Sequence, residues 1–219
     1  MSKVKAYNPT LLLTNESHFN RFPILTNHGP LIENYLERML WVIDNAISEY
    51  PRTLAIRVDL RLPQGYGDAG SDLMSRFTES LKAQIRADLH RKDMQGTRVH
   101  QCNLRYIWVK ERSNSFSPHF HVLLLLNHDA YHTLGDFNAE HGRNMAARIR
   151  KAWASALGSE LDAVIGLVEF PKNAVYRLNT YSNDFHQTRI DLFRRMSYFA
   201  KLNTKEFGSK SRNFGCSLR

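Results

Sequence analysis

Two histidines, His119 and His121, flank Phe120 at the head of an apolar run that continues from Val122 to Leu126. On a β-strand, residues i and i+2 project from the same face, so both imidazoles would leave the sheet together. Phe120 would point the other way, into a core shared with the leucines. Alone, such a pair is a common surface feature. Glu111 sharpens it, because this acid ends the preceding strand-like run, across a polar turn that includes Arg112 and Ser113. An antiparallel hairpin would bring Glu111 and His119 within bonding distance. Two imidazoles and one carboxylate with open positions suit a divalent ion held for catalysis rather than a closed structural site. A second constellation lies near the C-terminus. At about 100° per residue, Arg194, Arg195, Lys201 and Lys205 fall on the same helical side as Tyr198, while Phe193, Met196 and Ala200 fall opposite. A phenol amid cations suits contact with a phosphate.

These residues need a scaffold, and the hydrophobic pattern supplies one. An apolar stripe (Ile32, Tyr35, Leu36, Met39, Leu40, Ile43, Ile47) predicts a helix over Leu31–Ser48, closed by Pro51. Alternation over Ala55–Leu62 predicts a half-buried strand ending at Pro63. The glycine-containing stretch Gln64–Gly70 reads as a loop and lacks the Gly-Lys-Ser/Thr of a phosphate loop. Leu73, Phe77, Leu81, Ile85 and Leu89 predict a helix over Asp72–Arg91. Strands over Cys102–Lys110 and His119–Asn127 form the expected hairpin. A third helix spans Gly142–Leu157 with Gly158 as its cap. Ala163–Phe170 reads as a strand, Tyr176–Asn179 as a short partner, and Thr188–Lys205 as the last helix. This order predicts an α+β domain with a largely antiparallel central sheet flanked by helices.

The balance of charge narrows the partner. The chain has 219 residues with 30 Lys and Arg against 21 Asp and Glu, a formal net charge of +9 that favours a polyanion such as nucleic acid. Its hydrophobic share of 42% and charged share of 23% are near globular averages and argue against disorder. Its two cysteines, Cys102 and Cys216, exclude a disulfide-stapled scaffold and a cysteine zinc cluster, and fit a reducing cytosol. Leu11–Leu13 is too short for a signal-peptide core, and Val122–Leu126 is too short to span a bilayer. His128 and His132 read as solvated loop residues, while Tyr176 and Tyr181 read as packing residues.

The strand with His-Phe-His, the acid on its hairpin partner and the later Tyr-x-x-Lys compose a layout that resembles the HUH endonucleases. Trp108-Val-Lys-Glu-Arg and Ser117-Pro-His-Phe-His-Val-Leu-Leu-Leu-Leu-Asn look like the metal-binding segment of rolling-circle replication initiators. Met196-Ser-Tyr-Phe-Ala-Lys-Leu-Asn-Thr-Lys and Arg212-Asn-Phe-Gly-Cys-Ser resemble the C-terminal motif of the inovirus replication-protein family, which includes YagK/YfjJ-type prophage proteins. The resemblance spans Leu31 to Ser217. It implies an HUH-like, RRM-like palm over residues 31–219, which leaves residues 1–30 as an N-terminal extension. It also implies His119, His121 and Glu111 as ligands of Mg²⁺ or Mn²⁺, Tyr198 as nucleophile and Lys201 as its catalytic partner. Arg194, Arg195, Lys205, Lys210 and Arg212 would contact DNA. The strand Ile56-Arg-Val-Asp-Leu stands where the family has its first motif but lacks the threonine-rich form. A two-tyrosine enzyme is not expected, since Arg194 and Leu202 occupy the places a second tyrosine would take.

The implied activity is metal-dependent nicking and strand transfer on single-stranded or hairpin DNA at a replication origin, through a 5′-phosphotyrosine. It would start rolling-circle-type replication of a phage, prophage or satellite element in the cytoplasm of a bacterial host. Lacking a helicase domain, the chain would depend on a host helicase and polymerase, with no membrane partner. One rival is a catalytically silent HUH-fold DNA binder that acts as a regulator or interference factor. Another is an RNA-binding sheet on which Tyr106 and Trp108 stack bases, a reading with no use for Glu111, His119 and Tyr198 together.

Overall fold

The structure is a computed structural model that describes residues 11–66, 71–112, 118–136, 142–207 and 212–218. Four two-residue strands, β1 (Leu13–Thr14), β2 (His18–Phe19), β3 (Phe22–Pro23) and β4 (Leu31–Ile32), lead into helix α1 (Glu33–Glu49). Strand β5 (Arg52–Arg61) and helix α2 (Ser71–Met94) precede the hairpin of β6 (Arg105–Glu111) and β7 (His119–Asn127). Helix α3 (Met145–Leu157), β8 (Val168–Glu169), β9 (Val175–Asn179), α4 (Phe185–Ser197) and β10 (Phe214–Cys216) complete the order.

The central sheet runs β10-β6-β7-β5-β8, with β9 also paired to β5, and every pairing is antiparallel. This is the α+β architecture that the hydrophobic pattern predicts. Alternation along the strands divides the interior in two. Leu54, Ile56, Val58 and Leu60 of β5 and Phe120, Val122, Leu124 and Leu126 of β7 face one core, which includes Phe77 of α2 and Trp153 of α3. Trp153 donates its indole N–H to the Arg61 carbonyl at 2.9 Å, tying α3 to β5. Ala55, Leu123 and Leu125 face the opposite core, under Leu36, Met39, Val42 and Ile43 of α1 and Leu192, Phe193 and Met196 of α4. No helix among the described residues is long and apolar enough to cross a membrane.

Two expected elements differ. The run Ala163–Phe170 is not one strand: a 3₁₀ turn occupies Asp162–Val164 and only Val168–Glu169 pairs with β5. Gly166, at φ +78°, turns the chain between them in a conformation that L side chains rarely adopt. The last helix does not reach Lys205. It ends at Ser197 and tightens into a 3₁₀ turn at Tyr198–Ala200, because Lys201 becomes extended (φ −56°, ψ 135°) and bridges Leu31. The next residue, Leu202, donates its N–H to the Pro30 carbonyl at 3.0 Å. Residues 11–30 are packed rather than detached: Ile24 is buried against the α4 core, and the Leu25 N–H donates to Ser197 Oγ at 2.9 Å. Gly158 caps α3 in the left-handed conformation, as its position predicts.

Candidate metal centre

Strand register builds the site. Glu111 lies opposite His119, and Asp59 opposite His121, so these four residues share the sheet face that carries α1 and α4. One ligand atom each from Glu111, His119 and His121 falls within 4.8 Å of the others, the one such group of three among the described residues. His121 Nδ1 lies 2.7 Å from Asp59 Oδ1, which assigns the Nδ1 proton to that bond. His121 Nε2 is then left buried without a hydrogen-bond partner, 3.3 Å from Glu111 Oε2. An imidazole oriented by a carboxylate on one nitrogen, with a lone pair presented on the other beside a second carboxylate, is the arrangement of a metal-ligating histidine. His119 Nε2 is 4.0 Å from the same Glu111 oxygen, and the two imidazoles meet edge to face at 4.8 Å. The donor set therefore fits a divalent ion.

The electrostatics favour a ligand role for His119 and oppose one for His121 as long as it holds its proton. Burial and the charge of His121 push the His119 pKa down to about 4, which keeps this imidazole neutral at physiological pH. Burial opposes charge on His121, but the Asp59 hydrogen bond and the Glu111 carboxylate outweigh it and raise its pKa. Burial likewise opposes charge on Glu111, yet His121, Lys205 and Lys201 hold its carboxyl well below the usual range. Glu111 is 1% exposed and receives two ammonium groups, Lys201 Nζ on Oε2 at 2.7 Å and Lys205 Nζ on Oε1 at 2.9 Å. Arg57 adds a third cation, 3.4 Å from Asp59 Oδ2.

Tyr198 stands at the edge of this cluster. Its ring lies 5.8 Å from the His121 ring and 4.9 Å from that of His28, edge-on to both. Lys201 Nζ sits 3.6 Å from the Tyr198 ring centroid, so one ammonium links the phenol to Glu111. His121 is also stacked on Phe199, at 5.7 Å and 18°.

The expected DNA-contacting cations separate into different places. Arg194 is exposed on α4. Arg195 donates to the carbonyls of Asn173 and Lys172, each at 2.7 Å, and so braces the turn before β9. Lys205 is a correction: it is fully buried on Glu111 instead of extending the exposed helical face, because the helix has already ended. Arg212 is exposed at the sheet edge beside β10, and Lys210 lies outside the described residues. The sequence marks the strand Ile56-Arg-Val-Asp-Leu as the place of the family's first motif without giving Arg57 or Asp59 a role in the site, and it does not single out His28. A β5–β7 register would have revealed Asp59, but nothing in the sequence fixes that pairing across two intervening elements. His128 and His132 do approach, at 5.2 Å between rings, without a third ligand beside them among the described residues.

Comparison with known proteins agrees with the extent of this fold. The family model for the YagK/YfjJ C-terminal domain matches residues 14–217. "Uncharacterized protein YagK" of Escherichia coli (strain K12) is 40% identical over 200 residues, covering 87% of this chain and 95% of the relative. "Uncharacterized protein YfjJ" of the same strain is 37% identical over 204 residues, covering 86% and 96%. No solved structure matches. The chain belongs to the YagK/YfjJ C-terminal domain family.

Proposed function

We propose that this protein is a single-tyrosine HUH endonuclease, with the RRM-like palm of that class, that nicks and rejoins single-stranded DNA at a replication origin. The observation that carries the reading is the convergence of His119, the unpartnered His121 Nε2 and Glu111, with the Tyr198 ring 5.8 Å from His121. A bound Mg²⁺ or Mn²⁺ would offset the charge that builds on the phosphate oxygens. Around it the chain supplies three cations, Arg57, Lys201 and Lys205, against the carboxylates Asp59 and Glu111, an excess suited to an anionic substrate.

In this reading the Tyr198 oxygen attacks the scissile phosphorus. A Tyr198 O–P bond forms, the P–O3′ bond breaks, and the departing 3′-oxygen ends with the proton the phenol gave up. The resulting 5′-phosphotyrosine conserves the phosphodiester energy, so the free 3′-hydroxyl can prime synthesis and a later hydroxyl can reseal the strand. Lys201 holds the phenol ring from one side and Asp59 fixes the His121 ring. Such an activity would serve rolling-circle-type replication of a phage, prophage or satellite element in a bacterial cytoplasm, with host helicase and polymerase opening and copying the duplex.

The rival is a silent DNA-binding protein of the same fold. The observation in its favour is that two lysines already engage Glu111. Labelled single-stranded DNA tiling the host element's origin, incubated with Mn²⁺ or EDTA and then protease, separates the two on a denaturing gel. A nickase gives a metal-dependent cut and a protease-sensitive adduct, and Tyr198→Phe slows it at least about 10³-fold. Cutting that survives Tyr198→Phe refutes Tyr198 as the nucleophile. Binding without cutting on every segment favours the silent protein.

A further inference from the structure

The second concentration of chemistry lies away from Tyr198, at the sheet edge formed by β10. Two adjoining clefts of about 810 Å³ and 490 Å³ share Tyr106 and Arg212 in their walls and together wrap this edge from α1 to α2. Their cations are Arg38 from α1, Lys82 and Arg86 from α2, Arg105 from β6 and Arg212. Two acids line the same surface: Glu49, which is held by Arg105 at 2.7 Å, and Asp72. Arg38, Arg86 and Arg212 are exposed, and none has an acid partner among the described residues.

Aromatic rings alternate with these cations. Tyr35 stacks on Phe214 at 4.4 Å and 26°, and Tyr106 lies under Lys82 Nζ at 5.5 Å. All three rings are half-buried, so each is fixed by packing while part of it meets solvent. Gly215 keeps the middle of β10 low, since a Cβ there would fall 2.5 Å from the Trp108 ring. Guanidinium groups without an acid partner, of which Arg38 lies over the Trp41 ring at 5.4 Å, spaced among anchored rings in an open groove, are the two features that hold an unpaired nucleic-acid strand. A duplex hides its base faces and would leave the rings unused.

We propose that the groove around β10 binds single-stranded nucleic acid through Arg38, Arg86 and Arg212, with Tyr35, Tyr106 and Phe214 as base-stacking surfaces. Tyr106 stands five residues along β6 from Glu111, about 17 Å at strand spacing, so the groove is a surface separate from the metal centre. The inference goes beyond the nicking reading and stands without it, because binding here needs neither metal nor Tyr198.

The test is fluorescence anisotropy of a labelled oligo-dT of about 20 nucleotides, a groove-spanning length, titrated with the full chain in EDTA. Arg38→Ala/Arg86→Ala/Arg212→Ala should weaken binding at least about tenfold and flatten the log–log salt dependence by about 2, while the triple Arg→Lys chain retains most of the affinity. Tyr106→Leu, which keeps apolar bulk, should cost about fivefold or more with an unchanged salt slope. The titration in EDTA, where no metal-dependent cut can form, separates this result from any failure of nicking. Thermal melts check that each variant is folded. Wild-type affinity in the triple Ala chain overturns the proposal, as does absence of oligo-dT binding by wild type. Equal affinity for duplex DNA overturns the single-strand assignment, and equal affinity for polyglutamate moves the groove to an acidic protein partner.

Discussion

Asp59 determines which way the His121 ring faces. Its carboxylate accepts from Nδ1 at 2.7 Å, and this bond leaves Nε2 directed towards Glu111. Asp59→Asn removes the charge and the strong acceptor while preserving shape. Mn²⁺ binding measured by titration calorimetry should weaken about 10–100-fold, with His121→Ala weaker still. Unchanged affinity in Asp59→Asn would remove His121 from the ligand set. Legibility at this scale follows distance along the chain. His119, His121 and Glu111 are readable because strand alternation and the pairing of two consecutive strands fix their relation. Asp59 was not, because its register with β7 is settled only when the whole sheet assembles. Lys205 was placed wrongly for a related reason: helical periodicity says where residues would project in a helix, and the backbone leaves the helix at Lys201.

Among the elements, α2 and α3 are joined by a carboxylate buried between them. Asp88, 4% exposed, meets Arg148 of α3 at 2.6 Å, Lys92 at 3.0 Å and Arg91, and accepts from the Tyr131 hydroxyl at 3.1 Å. Burial opposes its charge, but Lys92, Arg148 and Arg91 outweigh that and lower its pKa. Because the folded pKa lies below the ordinary aspartate value of about 3.9, the contribution is fully present above that value. It is lost as pH falls through the lower, folded value. Asp88→Asn should cost about 2–4 kcal/mol in urea melts at pH 7, because Arg148 keeps its buried charge without the partner. The gap between the two proteins should narrow at pH 3; a constant gap would mean that packing rather than charge holds the helices. None of this was visible in the pattern of apolar residues, which gives α2 and α3 their existence and buried faces but not the polar tie between them.

For the molecule as a whole, one sheet separates two cores, and the segment before α1 completes the core that carries the candidate metal site. Phe22 packs on Phe193 at 4.9 Å, Ile24 is 6% exposed, and β1 pairs with β4 just before α1. A chain beginning at Leu31 would lose that cover and the bond to Ser197 Oγ. For Phe22 and Ile24, at about 1.5–3 kcal/mol each, the loss is about 3–6 kcal/mol. The melting temperature should fall by about 10 °C for a protein of this size. An unchanged melting temperature would make residues 11–30 an ornament on a self-sufficient fold. The sequence marks this segment only as an extension, because its packing depends on contacts with α4 more than 170 residues away, such as Leu25 to Ser197.

The pair formed by Lys205 and Glu111 has a consequence for how such a protein lives with scarcity. The lysine is wholly buried and stays at the carboxylate by way of the backbone turn after α4. The fold thus supplies its own positive charge at the Glu111 carboxylate. With no ion beside it, Glu111 stands in a neutralised pair and not as a bare anion that would pull water into the core.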